Sequence, residues 1–167
     1  MTPLSSLSFW TLEWVWGVPM VAVTMVVHAL GLTLGAFWLI RVFDMLPARR
    51  RSYHFVVGFS IATALAGTFL SLLHAVEVFI WAAAYLFLGA LHTVREAVLY
   101  SMGMMTTTGA NDLDLAAGWR LMGRLEGMAG MLLFGLSTAF LFTGFSRAWP
   151  ASHRHAGKQA HERDDGQ

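Results

Sequence analysis

The chain contains no cysteine. That excludes disulfides, thiolate metal sites and cysteine nucleophiles, and it leaves the redox compartment open. Charge is scarce too. Only 13% of the 167 residues are Asp, Glu, Lys or Arg, against about 25% in an ordinary soluble domain. With 56% hydrophobic residues, the composition is that of an integral membrane protein. The net charge of +1 is uninformative, the placement of the charges is not, and no nucleic-acid partner is expected. The N-terminus lacks the basic region and small-residue cleavage site of a signal peptide. No helix-length segment carries regularly spaced basic residues, which argues against a voltage sensor. No nucleophile–base constellation, phosphate loop or internal repeat is present, so neither an enzyme nor a resident cofactor is expected.

What is present is a set of long intervals without charge. They run from Glu13 to Arg41, from Arg51 to Glu77, from Glu77 to Arg95 and from Glu126 to Arg147. A bilayer core about 30 Å thick needs roughly 20 apolar residues of helix. Backbone groups in lipid have no water to bond, so such runs are helices or strands of a closed barrel. These are far too long and uniform for barrel strands. The two middle intervals run together. Residues 54–88 read either as one helix of about 50 Å, tilted or projecting beyond the bilayer, or as a span ending near His74 with an interfacial helix after it.

Three transmembrane helices are therefore expected. Residues 1–52 would comprise an aromatic N-terminal segment, a peripheral span and a basic loop. Residues 53–146 would form the main membrane unit, and residues 147–167 a polar, disordered tail. Arg41, Arg49, Arg50 and Arg51 flank the first loop, which places it in the cytoplasm. The N-terminus, with Trp10, Trp14 and Trp16, is then outside and the C-terminus inside.

Between Leu91 and Gly118 the chain is neither a span nor an ordinary loop. "VREAVLYSMGMM" has helical character but is too short to cross. It runs into "TTTGAND", after which "WRLMGRLE" opens the last helix. A short helix dipping in, with a polar segment coming back out, fits this order. Non-helical backbone at membrane depth is tolerated only where it is buried in protein or lines a watery path.

"YSMGMMTTTGAND" resembles the pore loop of the tetrameric potassium-channel superfamily, whose pattern ends in Thr-Thr-Val-Gly-Tyr-Gly-Asp. Ser101, Thr106, Thr107, Gly109 and Asp112 match it in register. "AGMLLFGLSTAFLF" resembles the inner helix of simple bacterial channels, with Gly130, Phe134, Gly135 and Thr138 at the family spacing and Arg120 at the helix start. The likeness covers about Tyr53 to Phe145. More closely, the chain resembles small bacterial pore-loop proteins of the potassium-channel family with one extra N-terminal span. The fold it implies is all-α: three transmembrane helices with a re-entrant pore helix and a selectivity-filter loop between the second and third, assembled as a homotetramer in a bacterial inner membrane. The implied filter is Thr107, Thr108, Gly109, Ala110, Asn111 and Asp112. The implied ligand is a monovalent cation, K+ or Na+, held by backbone carbonyls. Met131, Phe134, Thr138 and Phe142 would line the cavity and gate, with Phe142 in a hydrophobic constriction.

Elementary electrostatics runs parallel to the resemblance. A cation entering a bilayer loses hydration at heavy cost, and inward-pointing carbonyls can replace the water shell. One chain offers too few to encircle an ion, so four copies are implied. A ring of Asp112 at the mouth would concentrate cations. The family's Tyr-Gly pair is Ala110-Asn111 here, which implies a wider or softer filter of weak or altered selectivity. Asparagine tolerates the left-handed backbone that the family glycine adopts.

Other residues admit two readings each. Gly130 is either a gating hinge or a close-packing position. His74 and Glu77 lie three apart on one helix face, as a proton-sensitive pair or as a structural one. His28 reads as a satisfied structural histidine. Glu126 either braces the pore helix or pairs with Arg120 or Arg124. Two alternatives to a conducting channel stand beside it. One is a non-conducting accessory subunit of the same fold. The other is a haem-binding anchor that uses His28, His54, His74 or His92.

Overall fold

The computed structural model describes residues 3–44, 53–110, 113–116 and 118–148. They form four helices: α1 (Pro3–Asp44), α2 (Tyr53–Phe87), α3 (Val94–Met105) and α4 (Arg120–Ala148). No strand occurs among the described residues. Three helices contain segments long and apolar enough to cross a membrane: Thr11–Arg41, Val56–Phe87 and Arg120–Ser146. The chain is a multi-pass, all-helical membrane protein. The second charge-free interval resolves as one unbroken helix. Glu77 does not interrupt α2 because its carboxylate is buried between two imidazole rings, so it never needs to reach water.

The helix ends follow from local chemistry. Gly89 adopts φ 66°, the left-handed conformation that costs glycine least. The Ala90 N–H then reaches back to the Tyr85 carbonyl (2.9 Å) and the Gly89 N–H to the Leu86 carbonyl (3.1 Å). This paired closure satisfies the last carbonyls of α2. Four residues later Thr93 caps α3, its hydroxyl accepting the Glu96 N–H at 3.2 Å. The Thr-x-x-Glu spacing is that of a capping box, and Glu96 also lies at the positive end of the helix dipole.

The start of α4 is capped from a distance. Its first turn holds no acidic residue, and the Leu121 N–H instead donates to the Glu13 carboxylate of α1 at 2.7 Å. A carboxylate at that end complements the helix dipole. Lower down, Gly31 and Gly35 of α1 lie under Leu73 and Phe69 of α2, and Leu39 lies over Gly144 of α4. The first helix thus packs against α2 and α4 at positions from Glu13 to Leu39.

The principal core joins α2, α3 and α4. Trp81, Tyr85, Ala97, Met105, Met122 and Leu133 are almost fully buried in it. The Tyr85 and Tyr100 rings meet edge to face with centroids 5.3 Å apart, the arrangement that ring quadrupoles favour.

Candidate functional site

The segment after α3 turns back on itself. Thr106 ends the helix, its N–H bonded to the Met102 carbonyl at 3.1 Å and its hydroxyl to the same oxygen at 2.7 Å. Thr107 takes φ 62° and Gly109 φ 81°. A left-handed β-branched residue costs on the order of 1–3 kcal/mol, so the surroundings must hold it. They do so by close approach: the Gly109 N–H donates to the Gly103 carbonyl at 3.0 Å, and a Cβ on Gly103 would lie 2.3 Å from the Gly109 oxygen. The chain then climbs back beside α3. Leu115 is buried, and the Ala116 N–H reaches the Ala90 carbonyl at 3.4 Å. Residues 90 and 116 thus meet again after an excursion of one short helix, about 18 Å at the usual helical rise.

Thr106, Thr107 and Thr108 are exposed on the surface of this chain, while Gly109 and Ala110 are half-buried. The Thr106 and Thr108 hydroxyls lie 3.0 Å apart. The Ala110 carbonyl accepts the Leu113 N–H at 2.9 Å, closing a turn. Asn111 and Asp112 lie outside the described residues.

Two buried carboxylates stand behind this segment. Glu126 of α4 is fully buried. The Tyr85 hydroxyl donates to its Oε2 at 2.6 Å, and Ser101 of α3 meets its Oε1. The Ser101 hydroxyl also lies 3.0 Å from the Val78 carbonyl. One hydroxyl has one hydrogen. All three contacts are satisfied together when Ser101 donates to Val78 and accepts from a protonated Glu126 carboxyl. Beside it, burial above all pushes the Tyr100 hydroxyl up to about 12.

The second carboxylate, Glu77, closes a ring of four side chains. Its Oε1 is 2.7 Å from His28 Nδ1, and its Oε2 is 3.0 Å from His74 Nδ1. Both Nε2 atoms lie 3.2 Å from the Ser137 hydroxyl. Ser137 can donate to one of them only, so the other must carry a hydrogen. Three hydrogens on the four ring nitrogens satisfy every contact. The ring draws on α1, α2 and α4 and has no exposed member. His74 also stacks on Phe134 with centroids 4.3 Å apart.

The residues singled out in the sequence therefore fall into three groups. The threonine segment sits at the turn after α3. His28, His74 and Glu77 come together, and Glu126 joins α3 through Ser101. Arg120 is largely exposed and 3.8 Å from an equally exposed Asp114, a separation worth little in water. Met131, Phe134, Thr138 and Phe142 all lie on the exposed surface of α4. Gly130 faces α3, where a Cβ would lie 2.2 Å from the Met105 carbonyl oxygen. Its smallness serves contact between the two helices.

Three partners were not apparent from the sequence: Glu13, Tyr85 and Ser137. Glu13 alone carried a signal, as a lone acid within an otherwise apolar aromatic stretch. Compared with family models, with curated proteins and with solved structures, the chain has no significant match.

Proposed function

We propose that this chain is one subunit of a homotetrameric cation channel of the potassium-channel type, with "TTTGAND" as an atypical filter. The observation that carries the reading is the excursion from Ala90 to Ala116. A short capped helix and a polar return segment lie between two membrane-crossing helices, and the turn holds left-handed backbone at Thr107 and Gly109. Such backbone in a membrane needs a protein or water environment. Four copies around an axis would supply it.

In this reading the carbonyls of residues 107–110, with those of Asn111 and Asp112, replace the hydration shell of K+ or Na+. The C-terminal end of α3, with its partial negative charge, faces the cavity. Ser101 and Glu126 hold α3 against α2 and α4. Met131, Phe134, Thr138 and Phe142, all on the exposed surface of α4 in a single chain, line the cavity. Arg41 and Arg49–Arg51 set the N-terminus outside and the C-terminus in the cytoplasm of a bacterial inner membrane. Ala110-Asn111, in place of an aromatic-glycine pair, leaves the filter without a side chain that could hold its width, so selectivity between K+ and Na+ is weak.

The test is current or flux in liposomes holding the purified protein, under bi-ionic K+ and Na+. A reversal potential near zero is expected, from a particle with fourfold symmetry. A strongly K+-selective reversal potential would overturn the altered selectivity. One observation favours a non-conducting relative: the Ala110 carbonyl is already engaged by Leu113. Absence of flux from a fourfold particle would decide for that alternative, and a monomeric or dimeric particle would remove both.

A further inference from the structure

We propose that His28, His74 and Glu77 form an intramembrane binding site for a divalent transition-metal cation, of the class that takes imidazole and carboxylate ligands. The three side chains offer ligand atoms that all lie within 4.8 Å of one another. Two imidazole nitrogens and one carboxylate oxygen are a donor set suited to Zn2+ and its neighbours.

The geometry is close to what such an ion needs. Tetrahedral ligation at about 2.0–2.2 Å separates neighbouring ligand atoms by about 3.3 Å. His28 Nδ1 lies 2.7 Å from Glu77 Oε1 and His74 Nδ1 3.0 Å from Glu77 Oε2, and one ligand atom from each residue lies within 4.8 Å of the others, so side-chain adjustment alone brings the three around an ion. Both Nδ1 atoms then bind metal, and both Nε2 atoms carry hydrogen. Ser137 Oγ lies 3.2 Å from each Nε2 and has two lone pairs, one for each N–H. A fixed acceptor behind each ligating histidine sets its tautomer and ring orientation.

Charge and access are consistent with this. A divalent ion, one carboxylate and two neutral imidazoles sum to +1, and one small anion such as hydroxide in the open fourth position cancels it. His28 and Glu77 are fully buried, but the His74 side chain is 12% exposed. It lies beneath Phe134, itself 43% exposed, so the His74 edge is the way in. The ligands come from α1 and α2 and their orienting hydroxyl from α4. A bound ion would therefore clamp the extra N-terminal helix to the other two spans. None of this rests on ion conduction, and the site is complete within one chain.

The test uses the full chain in detergent, with His153, His155 and His161 replaced by alanine so that the tail cannot bind metal. After chelator treatment the protein is equilibrated with Co2+. The expected result is about one ion retained per chain, with the intense visible bands of four- or five-coordinate Co2+ and displacement by Zn2+. Glu77→Gln and His74→Gln should abolish the bands while helix content is kept. Ser137→Ala, which spares all three ligands, should weaken binding about 10–100-fold. A parent protein without retained ion or bands overturns the site. So does equal retention by the parent and the Glu77→Gln and His74→Gln variants. In either case the ring is held by hydrogen bonds alone.

Discussion

Glu77 and Glu126 are two fully buried carboxylates in one small membrane protein, and they are partnered in opposite ways. Glu126 meets hydroxyl groups, those of Tyr85 and Ser101. These are very weak acids, and one satisfied arrangement of hydrogens accounts for every contact. Glu77 meets imidazoles, His28 and His74. Imidazole nitrogens exchange a hydrogen, a lone pair or a metal bond under ordinary conditions. The first site fastens the short helix to its scaffold. The second joins three spanning helices through groups that can change occupancy. Burial alone therefore does not say what a carboxylate can do; the chemistry of its partners does.

The largest expected effect comes from breaking the fixed site. Glu126→Ala leaves the Tyr85 hydroxyl buried without an acceptor and removes the tie to Ser101, a loss of about 2–4 kcal/mol. It should appear as a large drop in thermal stability in detergent. Glu126→Gln keeps an acceptor for Tyr85 and a donor for Ser101 and should cost about 1 kcal/mol or less. If the two variants were equally damaging, a charged carboxylate would be required there, and the contrast with Glu77 would fail.

A steric probe comes next. Gly130→Ala drives a methyl into the Met105 carbonyl and forces α4 away from α3, costing about 1–3 kcal/mol. Gly67→Ala, where nothing lies within 4 Å, should change stability by less than about 0.5 kcal/mol. Equal melting curves for the two would mean that the α3–α4 contact is loose, not the rigid support assigned to the Glu126 side.

The smallest effect belongs to the imidazole ring around Glu77. Ser137→Ala removes the hydroxyl shared by both histidines but leaves both bonds to Glu77, a cost of about 1 kcal/mol in the same melting assay. A loss as large as that of Glu126→Ala would show that the ring is as rigid a brace as the other site.

Much of the fold could be read from where charge is absent. The intervals ending at Arg41 and beginning at Glu126 are helices, because lipid permits nothing else over such lengths. The capping box at Thr93–Glu96 and the left-handed Gly89 also act within a few residues, but the charge-free intervals do not mark them. The continuity of α2 was not legible either. Glu77 looked like a possible end of a span until its partners were known, and those partners come from α1 and its own helix, with Ser137 of α4 closing the ring behind them. The brace on Glu126 was legible as a possibility. Its hydroxyl partners were not, because serine and tyrosine are too common in membrane helices to stand out. In the sequence Gly130 admits bending or packing, and its nearness to the Met105 carbonyl supplies a packing role that only the tertiary structure contains.

Composition, charge-free intervals and the short segment ahead of the last of them determined that this is a three-span helical membrane protein with a short helix before the last span. Those properties depend on solvent and on neighbours a few residues away, so the linear order of residues contains them. The tertiary structure decided which buried polar groups meet: Glu13 with the start of α4, Glu126 with Tyr85 and Ser101, and Glu77 with two histidines 49 and 3 residues away. In a low-dielectric interior each such group must find a partner. Many pairings meet that demand equally well on paper, and only helix packing chooses among them.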